Sequence, residues 1–137
     1  DKAVMQELRD LPFDDEFYSD SHEDGEFLLY AQPGVQKRVL QKLKQGKYRV
    51  QDEFDLHGMV VDEARSAVKH FLAECLHNGH GCVRIIHGKG LRSSQRGPVL
   101  KRKLAGWLAQ RQEVLAYCSA RPVDGGTGAV YVLLRKG

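Results

Sequence analysis

Apolar residues recur along this chain at two spacings, which predict alternating strands and helices. Short apolar runs bounded by turn-forming residues are typical of strands, and four such runs are expected, at residues 53–56, 82–86, 114–120 and 129–134. Each of the first two is followed at once by a His-Gly pair. Both therefore change from strand to loop at the same kind of sequence.

Between the strands, apolar residues follow the three-to-four-residue spacing of amphipathic helices. One predicted helix is capped by Asp62 and stops at Asn78-Gly79, and another begins near Pro98. A shorter helix is expected over residues 35–44. The inward stripes of the two longer helices are Ala64, Val68, Phe71, Leu72 and Cys75 in the first and Leu100, Leu104, Trp107 and Leu108 in the second.

The order of these elements, β-α-β-α-β-β, predicts the fold class. Crossovers through helices make successive strands parallel, whereas the short connection through Asp124-Gly125-Gly126 makes the last strand antiparallel to a neighbour. We therefore expect an α/β protein, a two-layer sandwich with a mixed four-stranded sheet. Residues 49–137 are assigned to the domain. Residues 1–48 are assigned to an acidic leader, largely irregular over residues 1–30, plus a short basic helix.

Charge separates the leader from the rest of the chain. The 137 residues carry a formal net charge of +3, but residues 1–30 contribute −8 and residues 31–137 contribute +11. A basic domain favours a polyanionic partner, and an ordinary solvated basic surface is the alternative. No apolar run approaches the roughly 20 residues of a membrane-spanning helix, and no signal-peptide pattern is present. We expect a cytoplasmic monomer with no membrane partner.

The chain has three cysteines, Cys75, Cys82 and Cys118, and none belongs to a Cys-x-x-Cys pair. All three have apolar neighbours, which predicts small buried thiols in a reducing compartment. From this spacing we expect no zinc site.

The candidate chemistry lies in two tetrapeptides, Asp55-Leu56-His57-Gly58 and His87-Gly88-Lys89-Gly90. Residues i and i+2 of a strand share a face, so Asp55 can orient the ring of His57 and fix its tautomer. Ligands of open α/β sheets collect at the carboxyl ends of strands. An acid, two histidines and a lysine there suit phosphodiester cleavage, so Asp55, His57 and His87 are predicted to be catalytic. The alternatives are a buried structural Asp–His pair and glycines that only serve a turn.

Glycines and basic residues around these tetrapeptides are predicted to bind nucleic acid. Glycine lets a phosphate approach the backbone, the helix after the first tetrapeptide offers its N-terminus to an anion, and spaced cations can follow a phosphate backbone. The predicted contacts are Gly58, Gly88, Lys89, Gly90, Arg92, Arg96, Lys101, Arg102 and Lys103. Aromatic stacking partners are sparse, so sequence-specific readout is not expected.

Taken in order, the two tetrapeptides and Gly125-Gly126-Thr127-Gly128 resemble the motifs of the Smr (small MutS-related) domain. The resemblance covers about residues 54–134, and the leader and length are similar to those of stand-alone bacterial members. It implies a fold similar to the C-terminal domain of translation initiation factor three. The family's Asp-x-His pair corresponds to Asp55 and His57, and its His-Gly-x-Gly loop to residues 87–90. It also implies nuclease activity, either nicking of DNA or endonucleolytic cleavage of RNA in ribosome-linked relatives.

We therefore expect an endonuclease that nicks DNA with little sequence specificity. A divalent cation such as Mg²⁺ is left open as a cofactor, and binding this ion is the alternative role of Asp55. The alternatives are an RNA endonuclease and a non-catalytic module that binds nucleic acid or the ribosome. A third reading is an interaction domain whose acidic leader docks on the basic face as an autoinhibitor.

Overall fold

Five strands, three α-helices and two 3₁₀ turns, Pro122–Asp124 and Gly126–Gly128, make up the part of the chain that the computed structural model describes. This part is residues 26–88 and 96–136, with residues 96 and 97 described in their backbone only. The strands are β1 (Leu29–Ala31), β2 (Glu53–Asp55), β3 (Cys82–Ile86), β4 (Val114–Ser119) and β5 (Ala129–Leu134). The helices are α1 (Lys37–Lys44), α2 (Val61–His77) and α3 (Arg96–Ala109). Within these ranges no helix is both long and apolar enough to cross a bilayer.

The strands form one mixed sheet in the order β1-β4-β5-β3-β2. Strands β2 and β3 are parallel, as their helical crossover predicts, and the other neighbouring pairs are antiparallel. The predicted α/β class and mixed sheet are confirmed, but the predicted count of four strands is wrong. The fifth strand is β1, which lies at the edge of the sheet, where Leu29 pairs with Cys118. Three residues are too few to show a period of two, so its pairing with β4 defines it.

Helices α2 and α3 cover one face of the sheet through the predicted apolar stripes. Leu72 of α2 and Trp107 of α3 are buried in one cluster with Val83 of β3 and Val132 of β5. Removing a side chain of this size from water stabilises the fold by about 1.5–3 kcal/mol. This layer therefore holds the carboxyl ends of β2 and β3 in place.

Helix α1 covers part of the opposite face, where it buries Leu43 against Ala116, Cys118 and Tyr131. This contact adds a partial third layer that the prediction of a two-layer sandwich did not include. Both β1 and α1 lie in the region assigned to the leader and its basic helix, and both pack on the sheet. All three cysteines are buried and free, as predicted.

Candidate active site

The first tetrapeptide ends β2 with Asp55 and His57 at the surface and Leu56 in the core. Leu56 is fully buried, so the alternation of side chains turns its two neighbours outward. Asp55 Oδ1 accepts the backbone N–H of His57 at 3.0 Å and lies 2.6 Å from the ring Nδ1. The side chains of His57 and Asp55 are 68% and 47% exposed. This exposure contradicts the alternative of a buried structural pair.

The contact with Asp55 selects one tautomer of the His57 ring. A neutral imidazole donates from one nitrogen and accepts at the other, and Nδ1 is the nitrogen that faces the carboxylate. Donation from Nδ1 leaves the lone pair on Nε2. An exposed ring with its proton held on the far nitrogen has the arrangement of a general base oriented by an acid.

The second tetrapeptide reaches the same edge because β3 runs beside β2. Leu56 donates its amide to the carbonyl of Ile86 at 2.8 Å, which extends the parallel pairing past the end of β2. Gly88 has φ +87°, and a Cβ at this position would lie 3.2 Å from Cβ of His57. Glycine is thus favoured twice at this position, by the left-handed backbone and by the closeness of His57.

The third motif, at residues 125–128, closes over the second. The carbonyl of Gly128 accepts the amide of His87 at 2.9 Å and that of Gly88 at 3.0 Å. All three motifs therefore meet at one edge of the sheet. The amide of Gly88 is used inside the protein, so it is not available for the phosphate contact that the sequence predicts for it.

A polar network that sequence reasoning missed holds this third motif. The Tyr131 hydroxyl donates a hydrogen bond to Asp124, and this bond lowers the pKa of that carboxyl below its usual range. Arg84 donates to the backbone carbonyl of Asp124 at 2.9 Å and pairs with Glu53 on the edge strand. Only the register of β2, β3 and β5 brings these residues together, and a local pattern carries no signal of it.

His87 lies inside the protein, whereas His57 lies on the surface. It is fully buried, and its Nδ1 lies 2.8 Å from the carbonyl oxygen of Gly88. Burial lowers the pKa of His87 to about 4; the hydrogen bond to Gly88 opposes this shift, and the charge of Lys101 adds to it. The ring is therefore neutral at pH 7. Its Nε2 is buried and has no hydrogen-bond partner among the described residues.

The predicted phosphate contacts have different environments. Arg96 begins α3 with only its backbone described, and Arg102 and Lys103 are half-buried on the same helix. The predicted residues that lie outside the described ranges are Lys89, Gly90 and Arg92.

Lys101 is buried, so its ammonium group is not at the surface, where a phosphate could bind it. Only 1% of its surface is accessible, and its ammonium donates to the backbone carbonyl of Glu26. The segment before β1 covers it: Leu28 is also buried, and its amide donates to the Ser119 hydroxyl at 2.7 Å. A lysine next to an inward stripe was predicted to face water because nothing in its own helix shows what covers it.

Gly58 leads from the first tetrapeptide into α2 with φ +81°. The helix begins at Val61, one residue before the predicted cap, and its first turn contains Asp62 and Glu63. These carboxylates interact favourably with the positive end of the helix dipole and repel a phosphate. The N-terminus of α2 therefore does not support the predicted anion site.

Comparison with known proteins places these motifs in a family. The family model of the Smr domain matches residues 54–135. The chain is 40% identical to a protein of Escherichia coli strain K12 named probable DNA endonuclease SmrA. The matched segment of 109 residues covers 80% of this chain and 58% of that protein. Over 123 residues it is 40% identical to the ribosome rescue factor SmrB of Aliivibrio salmonicida, which is 89% of this chain and 65% of that protein.

The fold has the same relatives. The crystal structure of YdaL, a stand-alone small MutS-related protein from Escherichia coli, superposes with a TM-score of 0.76 at 34% identity. The match covers 96% of this chain and 99% of that chain. By contrast, the chain spans less than two thirds of the length of the SmrA and SmrB relatives above.

Proposed function

Because this chain belongs to the Smr family, we propose that it is an endonuclease that cleaves phosphodiester bonds and nicks DNA with little sequence specificity. One observation carries the proposal: the exposed ring of His57 is held by Asp55 at 2.6 Å, beside Gly88 and the end of β3. The name of the Escherichia coli relative, probable DNA endonuclease, supports the choice of DNA.

In this reaction His57 acts as the general base. Its Nε2 removes a proton from a water molecule, which attacks the phosphorus while the bond to the leaving oxygen breaks. The leaving oxygen takes a proton from solvent, and the protonated ring then loses its proton to solvent. Asp55 keeps Nδ1 protonated and stabilises the positive ring that forms between these two steps. A well-placed base of this kind contributes about 10²–10⁴-fold to the rate.

The other predicted site residues have supporting roles in the proposal. Lys89 would stabilise the charge that develops on the phosphate, and Arg92 would hold the neighbouring backbone. His87 would act as a positioning residue, because it is buried and its hydrogen bond to Gly88 fixes the glycine that lies beside His57. A neutral, buried ring suits that role better than proton transfer.

A divalent cation fits this edge poorly on the residues described. Mg²⁺ is bound by oxygen ligands, usually one or two carboxylates with waters and phosphate oxygens. Asp55 Oδ1 is already engaged by His57. In the described ranges no group of three His, Cys, Asp or Glu side chains clusters here. We therefore place no step of the reaction on a metal ion, and the experiment below measures the effect of Mg²⁺.

RNA is the second candidate substrate, and the same geometry supports it. In RNA, Nε2 of His57 can take the proton of the 2′-hydroxyl, which attacks the adjacent phosphorus without a bound water. A 2′,3′-cyclic phosphate forms as the bond to the 5′-oxygen breaks, and this oxygen takes a proton from solvent. The SmrB relative is named a ribosome rescue factor, which favours ribosomal or messenger RNA as a partner. A non-catalytic module that binds the ribosome would use the same basic surface.

The test incubates the chain with supercoiled plasmid and with structured RNA, each in Mg²⁺ and in EDTA. We expect nicked plasmid, and we expect His57→Ala to lower the nicking rate by about 100-fold or more with DNA affinity unchanged. Asp55→Asn should also lose rate, because an amide does not stabilise the charged ring. The matched control is His70→Ala, which removes an exposed histidine of α2.

Each outcome selects one proposal. Cleavage of RNA alone would replace the DNA assignment by the RNA endonuclease. Binding without cleavage of either substrate would leave the non-catalytic module. If His57→Ala cuts as fast as the unmodified chain, the catalytic assignment is wrong.

A further inference from the structure

Three potential metal ligands of different kinds converge at the end of β2 that lies away from the Asp55–His57 pair. They are Asp52, Cys75 and His80, and one ligand atom of each lies within 4.8 Å of the other two. Asp52 directly precedes β2, Cys75 lies in the last turns of α2, and His80 lies in the turn before β3. Asp52 and Asp55 are three residue steps apart along an extended chain, roughly 10 Å, so this cluster is distinct from the proposed active site.

The end of α2 brings His80 back to Cys75. His80 donates its amide to the Cys75 carbonyl at 2.9 Å, and Gly79 donates to Leu76 at 3.1 Å with φ +72°. These two bonds and the left-handed glycine form a Schellman ending, which places the residue after the glycine beside the helix residue five positions earlier. This ending of α2 places the side chains of Cys75 and His80 next to each other.

Backbone pairing brings Asp52 to the same place. The backbone amide of Gln51 donates to the carbonyl of Cys82 at 2.9 Å, and the backbone amide of Arg84 donates to the carbonyl of Asp52 at 3.0 Å. Hydrogen bonds on both sides of Asp52 thus fix its position beside the turn that carries His80. All three ligand positions are set by backbone structure that forms without an ion.

The His80 ring contains a polar atom that the protein leaves unpaired. Its Nδ1 is buried and has no hydrogen-bond partner among the described residues. Asp52 makes no ion pair in that part of the chain, and its Oδ1 accepts the backbone amide of Glu53 at 2.8 Å. Buried polar atoms are nearly always paired, and a cation bound between these groups would give Nδ1 of His80 a partner.

The donor set indicates which ion fits. Sulfur, nitrogen and carboxylate oxygen together are typical of Zn²⁺, whereas Mg²⁺ and Ca²⁺ prefer oxygen alone. Bonds of about 2.0–2.3 Å put tetrahedral ligands roughly 3.3–3.8 Å apart, so the side chains have to close by about 1 Å. A cleft of about 430 Å³ adjoins Asp52, Glu53 and Glu74. Asp52 is the one proposed ligand that lines this cleft, and the Glu53 carboxylate there already pairs with Arg84.

A nucleophilic cysteine is the competing use of this cluster, and the surroundings of Cys75 oppose it. The thiol is fully buried. Burial raises the pKa of Cys75 to about 11, and the charges of Asp52 and Glu74 add to the shift. A protonated thiol is a poor nucleophile.

We propose that Asp52, Cys75 and His80 form a Zn²⁺ site in which the protein supplies three ligands. The proposal does not depend on the nuclease assignment, and it reverses the expectation from cysteine spacing. That expectation relied on ligands close together in the sequence, whereas these ligands come from a strand start, a helix end and a turn.

The experiment titrates the metal-stripped full chain with Zn²⁺ against a chromophoric chelator, and with Co²⁺ as a spectroscopic substitute. We expect one ion per chain and a thiolate-to-cobalt charge-transfer band. Replacing residues around a metal ligand weakens binding by about 10–100-fold, so Cys75→Ser, His80→Gln and Asp52→Asn should each weaken it at least about tenfold. The matched controls are His77→Gln, exposed at the same helix end, and Cys118→Ser, buried on the other face of the sheet.

Equal Zn²⁺ affinity in the unmodified chain and in the three ligand variants would overturn the proposal, and so would a Co²⁺ complex without the charge-transfer band. If Cys75→Ser does not fold by circular dichroism, His80→Gln and Asp52→Asn decide, because Asp52 is exposed and His80 only partly buried. Nicking rates do not enter this test, so its failure and failure of the proposed nuclease are separate results.

Discussion

Replacing Gly88 with alanine tests whether the closeness of the two tetrapeptides sustains activity. The backbone of Gly88 has φ +87°, and holding an alanine there costs about 1–2 kcal/mol. For a chain of this size, that loss lowers Tm by about 3–8 °C. The new Cβ would also lie 3.2 Å from Cβ of His57, closer than carbon atoms normally pack. His57 must then move by a few tenths of an ångström, which disturbs its 2.6 Å contact with Asp55.

The effect on catalysis should exceed the effect on folding. Misplacing a catalytic group by about 1 Å costs roughly 100-fold in rate, so we expect Gly88→Ala to lower nicking by about tenfold while the protein stays folded. The control is Gly34→Ala, which has φ +95° and nothing within 4 Å of the added Cβ. It should lose similar stability and no activity. Equal nicking rates in the two variants at 25 °C would refute the role assigned to this contact.

Three further predictions concern stability, the leader and salt. The pKa of His87 is lowered to about 4, whereas an unfolded histidine titrates near 6.5. The neutral ring therefore contributes up to about 3 kcal/mol to the free energy of unfolding above pH 6.5, and this contribution is lost as the pH falls to 4. The plot of Tm against pH should be flatter for His87→Leu than for the unmodified chain. If the leader is autoinhibitory, deleting residues 1–24 should tighten DNA binding at low salt, and unchanged affinity would exclude autoinhibition. Deleting residues 1–30 should also lower Tm, because this deletion removes part of β1. Replacing Lys89 and Arg92 by alanine should weaken binding to all DNA sequences alike and make the affinity less dependent on salt. Filter binding from about 50 to 200 mM salt measures the slope of log affinity against log salt concentration. Equal slopes for the variant and the unmodified chain would contradict the prediction.

Most of the fold could be predicted from the sequence because its longer elements carry their own period. The stripes of α2 and α3 and the apolar runs of β3, β4 and β5 each extend over five or more residues, and all of them form as expected. Strand β1 could not be predicted in this way. Its three residues become a strand only because β4 pairs with them.

The candidate site divides in the same manner. The i and i+2 spacing of Asp55 and His57 after a buried strand predicted that both side chains would share one face, and their contact follows from it. The position of two His-Gly pairs at strand ends predicted that they would meet. Both inferences use only local geometry and the order of the elements.

Burial of the polar residues was decided by tertiary structure alone. His87 and Lys101 have the same kind of sequence neighbours as exposed residues, and they become buried because distant segments cover them. Lys101 binds a carbonyl 75 residues earlier in the chain, and the amide of His87 binds Gly128 in the turn before β5. The sequence by itself determined the longer elements and which residues reach the edge that carries the candidate site. Which polar groups face water depends on what packs over them, and no periodic pattern of one segment contains that information.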